Sequence, residues 1–164
     1  MKRTFLSLML LAMTGLSLQA AVIGIASEGN AVDGDEVYTS GIGNGNTLAI
    51  AQHPLWAAPL GGSTWVSYGV TGDPNAPGYF QPTNGLVMSF FDTILVSGGN
   101  VLAGTITVRA DDSTAMYINN VKVFDEATQA SNTYTVCSDF APGCLTTTEI
   151  TVNIAPFLTA GNNV

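Results

Sequence analysis

The chain has 164 residues with four Lys or Arg against twelve Asp or Glu, and charged side chains make up 10% of it. Two of the four cations, Lys2 and Arg3, lie in the first twenty residues, so residues 21–164 carry Arg109 and Lys122 against all twelve acids, a net charge of −10. A surface of that sign repels phosphate backbones and anionic lipid and offers no basic patch to release counterions, which excludes nucleic-acid binding.

Lys2 and Arg3 precede an apolar run over 5–18 that is too short to span a bilayer, and small residues follow at Ala20 and Ala21. Residues 1–20 therefore read as a secretory signal peptide, cleaved after Ala20 or Ala21. No later segment resembles a stop-transfer helix, so no membrane span is expected in the mature chain. The protein is expected to be secreted or held at the cell surface. The remaining 144 residues suit one domain, 21–164, with a core of its own.

Beyond the signal no window holds a sustained helical apolar period. Short β-branched or aromatic runs broken by Gly, Pro, Asn and Asp recur instead, which predicts an all-β sandwich or barrel. The first feature is "NAVDGDEVY", where Asn30, Asp33, Asp35 and Glu36 sit around a glycine. Hard oxygen donors at alternate positions are what calcium takes. A solvated acidic loop is the competing reading. "GIGNGN" reads as a turn-rich link, and a strand is expected at 48–51.

His53 precedes Pro54 with no titrating partner nearby in sequence, and it reads as a structural or surface residue. Trp56, Trp65, Tyr68, Tyr79 and Phe80 either pack the edge of a sandwich or offer rings for a sugar to stack on. Trp65 lies in the apolar run of an expected strand, 63–68, and suits the core. Trp56 and Tyr79 lie among Pro and Gly and are the better candidates for an exposed ligand-binding face.

Turn-rich "TGDPNAPG" and "VSGGN" flank an expected strand at 86–95. Another follows at 102–110, in which Ile106 and Val108 face one way and Thr105, Thr107 and Arg109 the other. Asp111 and Asp112 come next. Adjacent residues of an extended chain point to opposite faces, so the pair is badly placed for two-carboxylate glycosidase chemistry, which needs both groups converging on one bond. Shaping a turn, or ligating calcium, suits them better. Asn119-Asn120, between expected strands 114–118 and 122–124, predicts a type I′ hairpin because Asn tolerates positive φ.

Strands are also expected at 134–137 and 147–154. Between them, "CSDFAPGC" places Cys137 and Cys144 around a Pro-Gly turn. In an oxidising compartment that favours a disulfide worth roughly 2–3 kcal/mol; two free thiols are the alternative. A zinc site would need more ligands than these and the single His. No G-x-S-x-G elbow or Cys-His pair is present, and no catalytic constellation emerges. A non-enzymatic role is expected.

"AGTITVRADDSTAMYINNVKVF" (103–124) followed by "ITVNIAPFLTAGNNV" (150–164) resembles the galactose-binding-like jelly roll, the two-sheet sandwich of many carbohydrate-binding modules. With "VYTSGIGNGNTL" and "HPLWAAPLGGSTWVSYGVTGD", the likeness is to secreted bacterial proteins carrying a PEP-CTERM sorting signal, and it spans about 37–164. It implies a jelly roll, raises the case for a structural calcium in the early loop, and makes polysaccharide the expected partner. In that family the segment matching 161–164 opens a strand that closes the sandwich, so the resemblance implies a last strand truncated at Val164 and a sorting tail missing beyond it. The expected role is a non-catalytic module of the envelope or extracellular matrix; the alternative is an accessory carbohydrate-binding domain cut from a larger glycoside-active enzyme. Such sandwiches host many roles, so the motifs specify fold better than function.

Overall fold

The computed structural model describes residues 21–22, 25–33, 36–83, 86–111, 114–125 and 149–164. In chain order the strands are β1 (Ala21–Val22), β2 (Val37–Ser40), β3 (Gly43–Asn46), β4 (Leu48–Ala49), β5 (Val66–Ser67), β6 (Met88–Phe91), β7 (Ile94–Ser97), β8 (Thr105–Val108), β9 (Ala115–Ile118), β10 (Val121–Asp125), β11 (Ile150–Asn153) and β12 (Gly161–Asn163). A single helical turn, Asn30–Asp33, and a 3-10 turn, Ala155–Phe157, interrupt them. The fold is all-β, with every pairing antiparallel and the strands grouped as β1-β7-β12, β3-β2-β6, β4-β5, β8-β11 and β9-β10. Among the described residues no helix is long and apolar enough to cross a membrane.

Local chemistry explains the turns. Asn119 and Asn120 adopt φ of 52° and 64°, and Ile118 faces Val121 across them. This is the backbone of the expected I′ hairpin, whose twist matches that of its strands. Gly98 and Gly99, at φ of 77° and 75°, end β7 as the glycines of "VSGGN" suggest.

Two expectations are revised. "GIGNGN" is not only a link: the turn is confined to Gly41 and Ile42, and Gly43–Asn46 pairs along β2. Gly and Asn are poor strand formers, but the bare Gly45 admits the ring of Tyr38, whose Cε1 and hydroxyl would lie 3.2 Å from a Cβ there. Packing overrides propensity. The run at 86–95 is two strands. Asp92 Oδ1 accepts the Thr93 N–H at 2.6 Å, and at this break the chain leaves β2 for β1 and β12.

The core lies where β7, β9 and the 3-10 turn converge. Ile94, Val96, Ile118 and Ile154 are buried together, with Ile25, Val101, Ile106, Met116, Val123, Phe157 and Leu158 packed around them. Ile94 and Val96 point inward while Leu95 and Ser97 face out, the period-two alternation of a half-buried strand. Ile106 joins this core, and Thr107 bonds Thr151 across β8 and β11 at 2.8 Å between hydroxyl oxygens.

One buried polar group sits inside this apolar region. Asn163 is 0% exposed. Its Nδ2 donates to the carbonyls of Ile94, Thr159 and Gly161, and its Oδ1 accepts from Asn119 Nδ2 and from the Thr159 amide and hydroxyl.

Candidate functional site

Tyr68, just past β5, stands between two other rings. Its centroid lies 5.8 Å from that of Tyr38 on β2 and 5.7 Å from that of Phe80, the second contact edge-on at 70°. Beside them opens a groove of about 570 Å³ lined by Ile42, Tyr68, Phe80, Gln81, Pro82, Thr83 and Leu86. Among the described residues its lining is aromatic and aliphatic with one amide and one side-chain hydroxyl besides the tyrosine, and no charged side chain contributes. Burial pushes the Tyr68 phenol above its ordinary pKa, and the neighbouring Tyr38 adds to the effect.

The loop that carries Phe80 is pinned along its length. Asp73 Oδ1 accepts the Asn75 amide and Nδ2 at 2.9 and 3.0 Å, closing the turn at Pro74. The Asp73 N–H donates to Ala51 O at 2.9 Å, and a Cβ on Gly72 would overlap that same oxygen. The Phe80 N–H donates to Val70 O at 3.1 Å. The phenyl ring rests on Gly69, where a Cβ would lie 2.7 Å from Cε1 and 2.9 Å from Cζ. Phe80 is nonetheless 43% exposed. An exposed aromatic ring is held in one place by backbone contacts and a glycine seat.

A second aromatic group lies upstream. His53, Trp56 and Trp65 pack in a tilted row, with centroids 5.5 and 4.6 Å apart and ring planes at 37° and 44°. The Trp65 indole donates to Ala57 O at 3.2 Å, and His53 Nδ1 accepts the Leu55 N–H at 3.1 Å. Trp56 is therefore half-buried between two rings. Tyr79 is half-buried in its turn and is not in the groove lining. Its neighbour Phe80 takes the exposed position.

The described acidic candidates have different settings. Glu36 is buried, and its Oε2 accepts the N–H groups of Glu28 and Gly29 and lies 3.4 Å from Thr47 Oγ1. That carboxylate closes a backbone loop. Asp33 ends the helical turn, and Asp111 is an exposed residue beyond β8. Asp35, Asp112, Cys137 and Cys144 lie outside the described residues. Among the described residues no three His, Cys, Asp or Glu side chains gather to hold a metal ion.

Both cations beyond residue 20 are paired. Arg109 Nε and Nη2 donate to Glu149 Oε2 at 2.9 and 2.5 Å, and Nη1 donates to Ala58 O. Lys122 Nζ donates to Asp125 Oδ2 at 2.6 Å and lies 5.8 Å from the Tyr117 ring centroid. Compared with protein-family models, with curated proteins and with solved structures, the chain matches none of them.

Proposed function

We propose that the protein is a secreted, non-catalytic β-sandwich module of the bacterial envelope or extracellular matrix, and that it binds polysaccharide at the Tyr68–Phe80 groove. The observation that carries this reading is the exposed ring of Phe80, immobilised over Gly69 beside a groove that offers Gln81 and Thr83. Pyranose rings present C–H faces to aromatic side chains and hydroxyls to amides. A fixed ring loses little conformational freedom on stacking, so more of the contact appears as affinity. Aromatic, aliphatic, amide and hydroxyl side chains make a stacking surface, not an acid–base pair.

The finer architecture belongs to the same proposal: the antiparallel sheets form the two layers of a galactose-binding-like jelly roll in one domain over 21–164. The type I′ hairpin after the Ala-Asp-Asp segment and the strand opened at Gly161 support it.

Retention of the exported protein on insoluble polysaccharides tests the binding role. Wild type should be retained on at least one, and Phe80→Ala, melting at the wild-type temperature, should flow through. Equal retention of the two proteins would remove the groove from the account.

A further inference from the structure

Resting on the glycan-binding reading, we infer that the Tyr68–Phe80 groove takes uncharged polysaccharide and discriminates against uronate or sulfated chains. The first ground is the lining. Recognition of a carboxylate or sulfate calls for a guanidinium or ammonium, which gives short charge-assisted hydrogen bonds. Gln81 and Thr83 instead present neutral donors and acceptors, and the rings of Tyr68 and Phe80 present apolar surface.

The second ground is the charge of the whole chain. Residues 21–164 contain just two cations, Arg109 and Lys122, against twelve acids. Both are engaged by carboxylates, Arg109 by Glu149 and Lys122 by Asp125. Neither lines the groove. An anionic polymer approaching the groove therefore meets a repelling field and no counter-charge, and that field acts over about 10 Å at ordinary salt. A neutral polymer meets neither obstacle.

Affinity electrophoresis of the exported protein separates the possibilities. Gels carry a panel of neutral polysaccharides, each beside its own C6-oxidised form, so that the backbone is constant and only the carboxylate is added. The neutral form should retard the wild-type protein at least ~10-fold more effectively than its oxidised partner. That retardation should be insensitive to salt and absent in Phe80→Ala. Gln81→Lys, a change at an exposed position, should bring up binding of the oxidised form. Equal or stronger retardation by oxidised polymers would overturn the charge selectivity while leaving glycan binding in place. Retardation by no polymer would overturn both.

Discussion

Asn119 and Asn163 are joined side chain to side chain at 2.8 Å, which ties the tip of the β9–β10 hairpin to a wholly buried position on β12. Val164 reinforces the tie: the Asn119 N–H donates to Val164 O at 2.6 Å, and the Asn119 side-chain Oδ1 accepts the Val164 N–H at 3.2 Å. Asn119 therefore does two jobs, holding a left-handed turn and docking it. Substitutions separate them. Asn120→Gly, which relaxes a φ of 64°, should be neutral or slightly stabilising. Asn119→Gly keeps the turn but loses the amide, and should cost about 1 kcal/mol. Asn163→Ala strips the buried Ile94 carbonyl and the part-buried Thr159 and Gly161 groups of this partner and should cost about 2 kcal/mol. Urea denaturation of the three variants checks the order.

The Arg109 side chain is 10% exposed and that of Glu149 33%. Removing one member of so covered a pair leaves an uncompensated charge, which hurts more than the pair itself helps. Arg109→Lys should be far from conservative, because a single ammonium cannot reach both Glu149 and Ala58 O as the planar fork does. A loss of about 1–2 kcal/mol is expected from urea midpoints. Lys122→Ala, at an exposed i,i+3 pair, should leave the midpoint unchanged.

Glu36 should behave as an internal cap. Glu36→Ala leaves the Gly29 N–H buried without its acceptor and should cost about 2–3 kcal/mol. With that carboxylate committed to backbone donors, chelator and added calcium should leave the melting temperature in place. A calcium-dependent rise, following mass action, would show that Asp33 and Asp35 recruit the ion by another geometry.

Tyr68 gives a pH signature to the groove. Its folded pKa lies above the unfolded value, so the folded state holds the phenolic proton more tightly. Stability from this group is complete below the ordinary tyrosine pKa of about 10 and is lost as pH rises through the folded value. Ultraviolet titration of the folded protein should show the Tyr68 phenol ionising late, and Tyr68→Phe should remove that contribution.

Cys137 and Cys144 should be joined after export. Intact mass of secreted material should reveal two alkylatable thiols only after reduction. Thiols that react without reductant would remove the crosslink.

Sequence alone made the strand-and-turn grammar legible. Asn119-Asn120 announced its hairpin because positive φ is a local property of the residue. The inward place of Ile106 was readable, but the strict alternation around it was not, since Thr107 and Val108 are both half-buried. The β2–β3 pairing was not, since Gly43 to Asn46 forms a strand only when Tyr38 lies over Gly45. Nor could periodicity find the break at Asp92-Thr93, which depends on which sheet each half joins. The groove was half visible. Its aromatic residues are legible in the sequence, but the exposure of Phe80 rather than Tyr79 turns on a contact with Gly69. Ile42, Gln81 and Thr83 reach the groove from segments with no local motif.

The sheet order β1-β7-β12 has a kinetic meaning. Val96 of β7 pairs with Val22 on one side and Gly161 on the other, so the middle strand draws its neighbours from the two extremes of the described chain. Such distant partners make loop closure slow. A ribosome must deliver residue 161 and those after it before β7 can be flanked on both edges, and until then its N–H and C=O groups on one side have no strand to meet. The β1-β7-β12 sheet therefore closes late, after the β2-β6 and β4-β5 partners have all been made.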